Sequence, residues 1–307
     1  MTFATVYELL KRTVTRFIAV NTFEMGAALA YYTAFSLAPL LLIAIAIAGW
    51  VFGEQAAEGQ ISTEIESAVG PTVAKAVEEM VRNARTSGGS TTASVVGVIL
   101  LIFGASGVFI ELQDSLNRIW QVPEKDKPSG VWGFIRNRLL SFAMVLGIGF
   151  LLLVSLIINT ALSAMSHYLA PEQNAFVQVL NQLISFGFIT VLFAAIFKFL
   201  PDRPIAWNDV WIGAAFTSLL FVIGKYLIGL YLAQGSVASA FGAAGSLVVI
   251  LVWVYYASQI LLFGAQFTQV YATQREDATR QVEGHAAPER STPEAAGRSP
   301  AARSEIR

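Results

Sequence analysis

The chain has no cysteine and only two histidines, His167 and His285, among its 307 residues. Without cysteine there are no disulfides, iron–sulfur clusters, thiol catalysis or cysteine-built zinc sites. The two histidines stand far apart and form no His-x-His-x-Asp cluster of the kind a metal-dependent phosphodiesterase uses. The sequence contains no phosphate-binding Walker loop and no visible Ser–His–Asp arrangement, so ATP-driven pumping by this chain alone is not expected. No enzyme activity, cofactor or metal is expected either. Charge is scarce as well, with Asp, Glu, Lys and Arg making up 13% of the residues, against roughly 25% in a soluble domain. That deficit excludes an ordinary water-soluble globule, and a hydrophobic share of 55% excludes a disordered chain. A net charge of −1 leaves no basic surplus for nucleic acid.

What the chain does have is long apolar runs. Six of them, 27–50, 94–110, 139–163, 177–197, 210–232 and 243–271, contain a single charged residue, Lys225. A helix needs about 20 apolar residues, at ~1.5 Å each, to cross a hydrocarbon core of ~30 Å. The runs do not show the alternating ~10-residue segments of a membrane β-barrel. The expected fold is all-α, a polytopic membrane protein with six transmembrane helices. The last run is longer than needed, which predicts tilt or extension past the bilayer.

Residues 1–23 lack a signal-peptide core and carry Lys11, Arg12 and Arg16. Phe3, Val6, Tyr7, Leu10, Val14, Phe17 and Ile18 recur at helical spacing, which predicts an amphipathic helix. It either lies on anionic lipids at the cytoplasmic face or packs on the bundle. Sixteen Lys and Arg residues fall on one side of the six runs, and Lys75, Arg82 and Arg85 on the other. The positive-inside rule then puts both termini in the cytoplasm of a multi-pass inner-membrane protein. The connection 53–92 becomes an external loop, in which Gly70–Pro71 should separate two short helices. It reads as a cap over the bundle or as a partner-binding site. The segment 273–307, with Pro288, Pro293 and Pro300, is expected to be a disordered cytoplasmic tail.

Several polar residues lie at membrane depth. In the first run Gly26, Ala30, Ala34 and Ala38 fall four apart and permit close helix approach. Tyr31, Tyr32, Thr33 and Ser36 add polar groups, and Pro39 should kink the helix. In the sixth run Gln259 and Gln266 stand seven apart, on nearly one face. A lysine such as Lys225 near the membrane centre costs about 2.5–3.5 kcal/mol, so it either faces an interior partner or snorkels outward. Glu24, Glu111 or a loop glutamate would be its counter-charge, with Tyr226 and Tyr255 as hydrogen-bond alternatives. Together Lys225, Tyr31, Tyr32, Ser36, Pro39, Gln259 and Gln266 form a candidate polar pathway. At the end of the second run Glu111, Asp114, Asn117, Arg118 and Trp120 form a candidate cytoplasmic interface motif. Glu111, Asp114 and Arg118 share a helical face suited to ion pairing, with Trp120 as a membrane anchor.

Five blocks then point one way. They are Ala28-Leu-Ala-Tyr-Tyr-Thr-Ala-Phe-Ser-Leu-Ala-Pro-Leu40, Leu116-Asn-Arg-Ile-Trp120, Leu200-Pro-Asp-Arg-Pro204 with Trp207 and Gly213-Ala214, Gly224-Lys225, and Phe241-Gly-Ala-Ala-Gly-Ser246 continuing to Gly264-Ala-Gln-Phe-Thr268. Together they resemble the YihY/BrkB family of bacterial inner-membrane proteins over roughly residues 5–272. The resemblance implies a six-helix integral membrane protein, with virulence-related naming in some members. It further implies a transporter-like role, linked in some members to envelope-lipid export. At Gln266 the chain departs from the family, which often carries a glutamate after Gly-Ala. The label ribonuclease BN, borne by some members, is not supported by the residues of this chain. The expected partners are the bilayer and an unknown small-molecule or lipid substrate, with no nucleic acid; a homo-oligomer is left open. The competing reading is a non-transporting scaffold or accessory factor in envelope maintenance.

Overall fold

The chain turns sharply after its first helix, at Asn21, whose φ of 58° lies in the left-handed region that asparagine tolerates better than most residues. The structure is a computed structural model, and it describes residues 3–52, 59, 62–63, 65–66, 69–87, 107–123, 133, 139, 174–233, 241 and 244–286. Among them the elements are all helical. They are α1 (Phe3–Ala19), α2 (Thr22–Phe52), α3 (Pro71–Ser87), α4 (107–119), α5 (Asn174–Phe199), α6 (Trp207–Ala233) and α7 (Gly245–Ala286).

Among the described residues, three helices are long and apolar enough to cross a membrane, with spans at Gln182–Phe199, Trp207–Leu232 and Gly245–Thr279. They carry the fourth, fifth and sixth apolar runs. The first run lies in α2, which is helical without a break for 31 residues, through Pro39. The second run is described only at 107–110 and the third only at Leu139. The two corresponding spans therefore lie outside the described residues.

Residues 1–271 form one compact unit and 272–307 a second. The expected disordered tail needs correcting at its start, because α7 continues to Ala286. The extension, from Thr273 through Glu283, holds two each of Gln, Glu and Arg, and the first proline after it is Pro288. Good helix formers without a breaker continue a helix that is already nucleated.

Inside the first unit two apolar clusters organise the packing. One joins Ala30 of α2 to Ile228 and Leu232 of α6, to Val249, Ile250 and Val254 of α7, and to Val73, Ala76, Val77 and Val81 of α3. Helix α3, from the connection read as a cap or a partner-binding site, thus packs its apolar side on the bundle. Its start follows from local chemistry. Gly70 adopts φ 90°, where a Cβ would be strained, and Pro71 takes the first helical position, where a missing N–H costs nothing. The second cluster seats α1, with Leu9 against Phe267 and Val270. Phe17 meets Phe263 edge-on at 5.3 Å. The other apolar side of α1, with Tyr7, Val14 and Ile18, stays exposed. The amphipathic helix therefore packs on the bundle along one stripe and leaves a second stripe open.

Helices α6 and α7 approach closely through paired glycines. A Cβ on Gly213 would overlap Thr268, and a Cβ on Gly264 would overlap Thr217. Each threonine hydroxyl donates back along its own helix, Thr217 Oγ1 to Gly213 O and Thr268 Oγ1 to Gly264 O, both at 2.7 Å. The hydroxyls are thereby satisfied, and the methyl groups fill the space the glycines leave. Phe216 stacks on Phe267 at 4.0 Å alongside.

Candidate functional site

Two polar constellations emerge from this packing. The first ties α4 to the loop between α5 and α6. Helix α4 ends in a Schellman cap: Gln121 adopts φ 52°, and the Val122 N–H donates to Asn117 O at 2.9 Å. The cap fixes the last turn, and the Asn117 side chain, 1% exposed, points at Asp202. Asn117 Nδ2 donates to Asp202 Oδ2 at 2.8 Å, and the Asp202 N–H donates to Asn117 Oδ1 at 2.8 Å. Gln113, one turn earlier, donates to the same carboxylate oxygen at 3.2 Å. Arg203 donates to Trp120 O at 3.4 Å and lies over the Trp120 ring at 5.8 Å. Lys198 donates to Ile205 O and lies 5.2 Å from the centre of the Trp207 ring.

This arrangement revises the interface motif. Asn117 and Trp120 belong to it, but Trp120 is 3% exposed, so it is a buried strut and not a membrane anchor. Glu111 and Asp114 are half-buried and Arg118 is exposed. Among the described residues no ion pair joins Glu111, Asp114 and Arg118, although they share a helical face. Gln113 and Asp202 are site residues that sequence reasoning missed.

The second constellation lies between α1, α2 and α7. Gln259 rests on Gly26, where a Cβ would overlap its amide, and donates to Thr22 O at 3.4 Å. Gln266, 1% exposed, donates to Gln269 Oε1 at 3.1 Å. Arg16 of α1 donates to the same oxygen at 2.9 Å. In both glutamines the amide nitrogen is engaged, while Oε1 is buried without a hydrogen-bond partner among the described residues. Two buried, acceptor-only positions therefore stand seven residues apart on one face of α7.

The other residues of the expected pathway scatter. Ser36 is buried and donates to Thr33 O at 3.2 Å, within its own helix. Tyr32 packs its ring on Gly107 of α4, where a Cβ would come within 2.5 Å of Cδ1. Tyr31 does not join the glutamines: it is 58% exposed, and its ring lies against Tyr32 and Phe35 on the outer surface. Pro39 lies within α2, and its side chain falls outside the described residues. Lys225 is half-buried, with Nζ 5.6 Å from the centre of the exposed Tyr226 ring. Its neighbour Gly224 packs against Tyr256 and Ile260 of α7.

With the geometry in view, comparison with known proteins decides the family. The profile of the family described as virulence factor BrkB matches residues 13–290. The chain belongs to the BrkB family. Similar curated proteins are called UPF0761 membrane proteins. One from Pseudomonas aeruginosa is 25% identical over 252 residues, covering 81% of this chain and 59% of its own length. One from Rhodospirillum centenum is 28% identical over 278 residues, covering 89% and 59%. One from Pseudoalteromonas translucida is 24% identical over 260 residues, covering 83% of each chain. The chain thus spans 59% of the length of the first relatives it matches. No solved structure matches it. The BrkB match runs through α1 to α7 and contains both polar constellations.

Proposed function

We propose that this BrkB-family membrane protein is transporter-like and moves a solute or an envelope lipid across the bacterial inner membrane. In this reading it is a multi-pass protein with six spans, both termini cytoplasmic and no enzymatic step. The observation that carries the proposal is the pair of buried acceptors, Gln259 Oε1 and Gln266 Oε1, without a hydrogen-bond partner among the described residues, in a helix long and apolar enough to cross a membrane. An unsatisfied buried acceptor costs about 1–3 kcal/mol, and hydrocarbon offers it nothing. Such groups persist where a passing or bound polar species satisfies them. Lys225, half-buried in the neighbouring α6, adds a polar group of the opposite kind. The exposed stripe of α1, with Lys11 and Arg12 beside it, suits the anionic lipids of the cytoplasmic leaflet.

The test is reconstitution into liposomes with two readouts, release of entrapped small solutes and transbilayer movement of a labelled phospholipid. The expected result is a rate above empty vesicles in one assay, lowered at least several-fold by Gln266→Leu and by Lys225→Ala. Rates equal to empty vesicles in both assays would overturn the proposal. So would a Lys225→Ala, Gln266→Leu double variant that works as well as the native chain, and the scaffold reading would then take its place.

A further inference from the structure

Helix α1 carries two apolar strips, and the bundle covers one of them. Leu9, Thr13 and Phe17 are buried, with Leu9 on Phe267 and Val270 and Phe17 on Phe263. Tyr7, Lys11, Val14 and Ile18 stand at i, i+4, i+7 and i+11, so they share one outer face. All four are exposed, Tyr7 at 63% and Ile18 at 58%. Three large apolar side chains left uncovered forgo the stabilisation that burial would bring.

The charge and the neighbours of this strip say what covers it. Helix α1 has three basic residues and one acidic residue, Glu8, which Arg12 engages at 3.0 Å. Lys11 stands between Tyr7 and Val14, where its stem can lie on apolar surface while its ammonium reaches a polar boundary. Past the turn at Asn21, Phe23, Ala27, Tyr31 and Phe35 of α2 are exposed in their turn, four residues apart. They lead into the helix that holds the first apolar run. On α7, the contacts Phe267 and Val270 lie just before Tyr271, the last residue of the sixth run. The outer strip therefore sits where apolar runs begin and end. A strip that is apolar, basic and placed there matches a membrane surface with anionic headgroups.

The bundle side gives that contact a consequence. Arg16 Nη1 donates to Gln269 Oε1 at 2.9 Å, and Gln266 Nε2 donates to the same oxygen at 3.1 Å. A guanidinium can only donate, so the shared atom has to be the Gln269 oxygen. The Gln266 nitrogen then has to face it, which turns Gln266 Oε1 the other way. The seating of α1 thus fixes which end of the Gln266 amide points where.

We propose that the outer strip of α1 docks on an anionic membrane surface, and that this docking holds Arg16 on Gln269 and so sets the orientation of the Gln266 amide. The docking stands apart from the transport reading, whereas any effect of lipid charge on a transport rate rests on it.

The experiment uses the full chain in nanodiscs of phosphatidylcholine, with or without an equal share of phosphatidylglycerol. Because the chain has no cysteine, Val14→Cys carries a single nitroxide. Its collisions with oxygen and with a water-soluble nickel chelate report lipid and water around it. Lipid contact is expected with phosphatidylglycerol, and its ratio to water contact should fall about fivefold in Lys11→Gln, the loss of one cation at the surface. Ile18→Cys repeats the measurement should the first variant fail to fold. A label that favours water in both lipids overturns the docking. So does one shielded from both probes, because protein then covers the strip. The link to Gln266 is read from proton exchange of the Arg16 guanidinium in arginine labelled with nitrogen-15, its signal assigned by its loss in Arg16→Ala. Exchange should slow several-fold with phosphatidylglycerol, and Lys11→Gln should abolish the slowing. Equal exchange in both lipids overturns the link. A chain that moves no substrate yet shows both effects sinks the transport reading and supports the docking. One that moves substrate without either effect does the reverse.

Discussion

Asn117 and Asp202 hold each other by two hydrogen bonds of 2.8 Å, one from each side of the pair. The residues are far apart in sequence, so this contact fixes where the end of α4 meets the α5–α6 loop. Removing Asn117 takes both of these bonds from the half-buried Asp202 and leaves it the weaker one from Gln113. Asn117→Ala should therefore destabilise the protein by about 1–3 kcal/mol. Asn117→Asp should cost more, because it sets two carboxylates against each other. Thermal unfolding in detergent, read for both variants beside the native chain, checks the order. An Asn117→Asp protein as stable as the native one would refute the contact.

The glycine–threonine contacts between α6 and α7 make a second prediction. Gly213→Ala should destabilise by about 1–3 kcal/mol, because its methyl overlaps Thr268 in a close-packed seam. Thr268→Ala trims the obstructing atoms, so the double variant should lose less than the two single variants summed. A double-mutant cycle measures that coupling. Strict additivity would mean that the two residues do not share the space.

Gln266 offers a third. Gln266→Glu replaces a neutral amide with a carboxylate beside the Gln269–Arg16 contact, so α1 should bind the bundle more tightly. Amide hydrogen exchange in α1 should slow, and Arg16→Ala should cancel the gain. Unchanged exchange in the glutamate variant would show that Gln266 does not communicate with Arg16.

The cap helix gives a fourth. Val77 is 5% exposed and belongs to the apolar cluster that joins α3 to α2, α6 and α7. Val77→Asp buries a charge without a partner and should detach α3. Glu79→Lys, on its exposed side, should not. Limited proteolysis within 71–87 should accelerate for the first variant alone.

Much of the fold is legible in the sequence because membrane helices are written in composition. Lys225 stands alone as a charge within six apolar runs, and the breaks at Asn21 and Gly70–Pro71 follow from local backbone chemistry. The connection 53–92 reads as a cap or a partner-binding site, and the apolar side of α3 packs on the bundle. The continuation of α7 to Ala286 is less visible, since its polar residues resemble a tail until their helix propensity is weighed. The sites divide on similar lines. Gln259 and Gln266 stand out because amides are rare in apolar runs; the structure places Gln259 against α2, while Gln266 bonds to Gln269 within α7. Asp202 is invisible, because nothing within one helix period of it names Asn117 as its partner. Trp120 misleads, since a tryptophan at the end of an apolar run looks the same whether it meets lipid or a loop. Long-range pairing is information that periodicity does not carry.

The interlocked glycines of α6 and α7 have a mechanical consequence. Two threonines seated in two opposing notches resist both sliding and separation, so the helices work as one bolt. Any opening of the bundle must pivot at a looser seam. The contact of α7 with α2 has one such notch among the described residues, where Gln259 lies on Gly26 and donates to Thr22 O at 3.4 Å, against two between α6 and α7. Under the proposed transport function, a crosslink between α6 and α7 should therefore leave movement of the substrate intact, whereas one between α2 and α7 should arrest it.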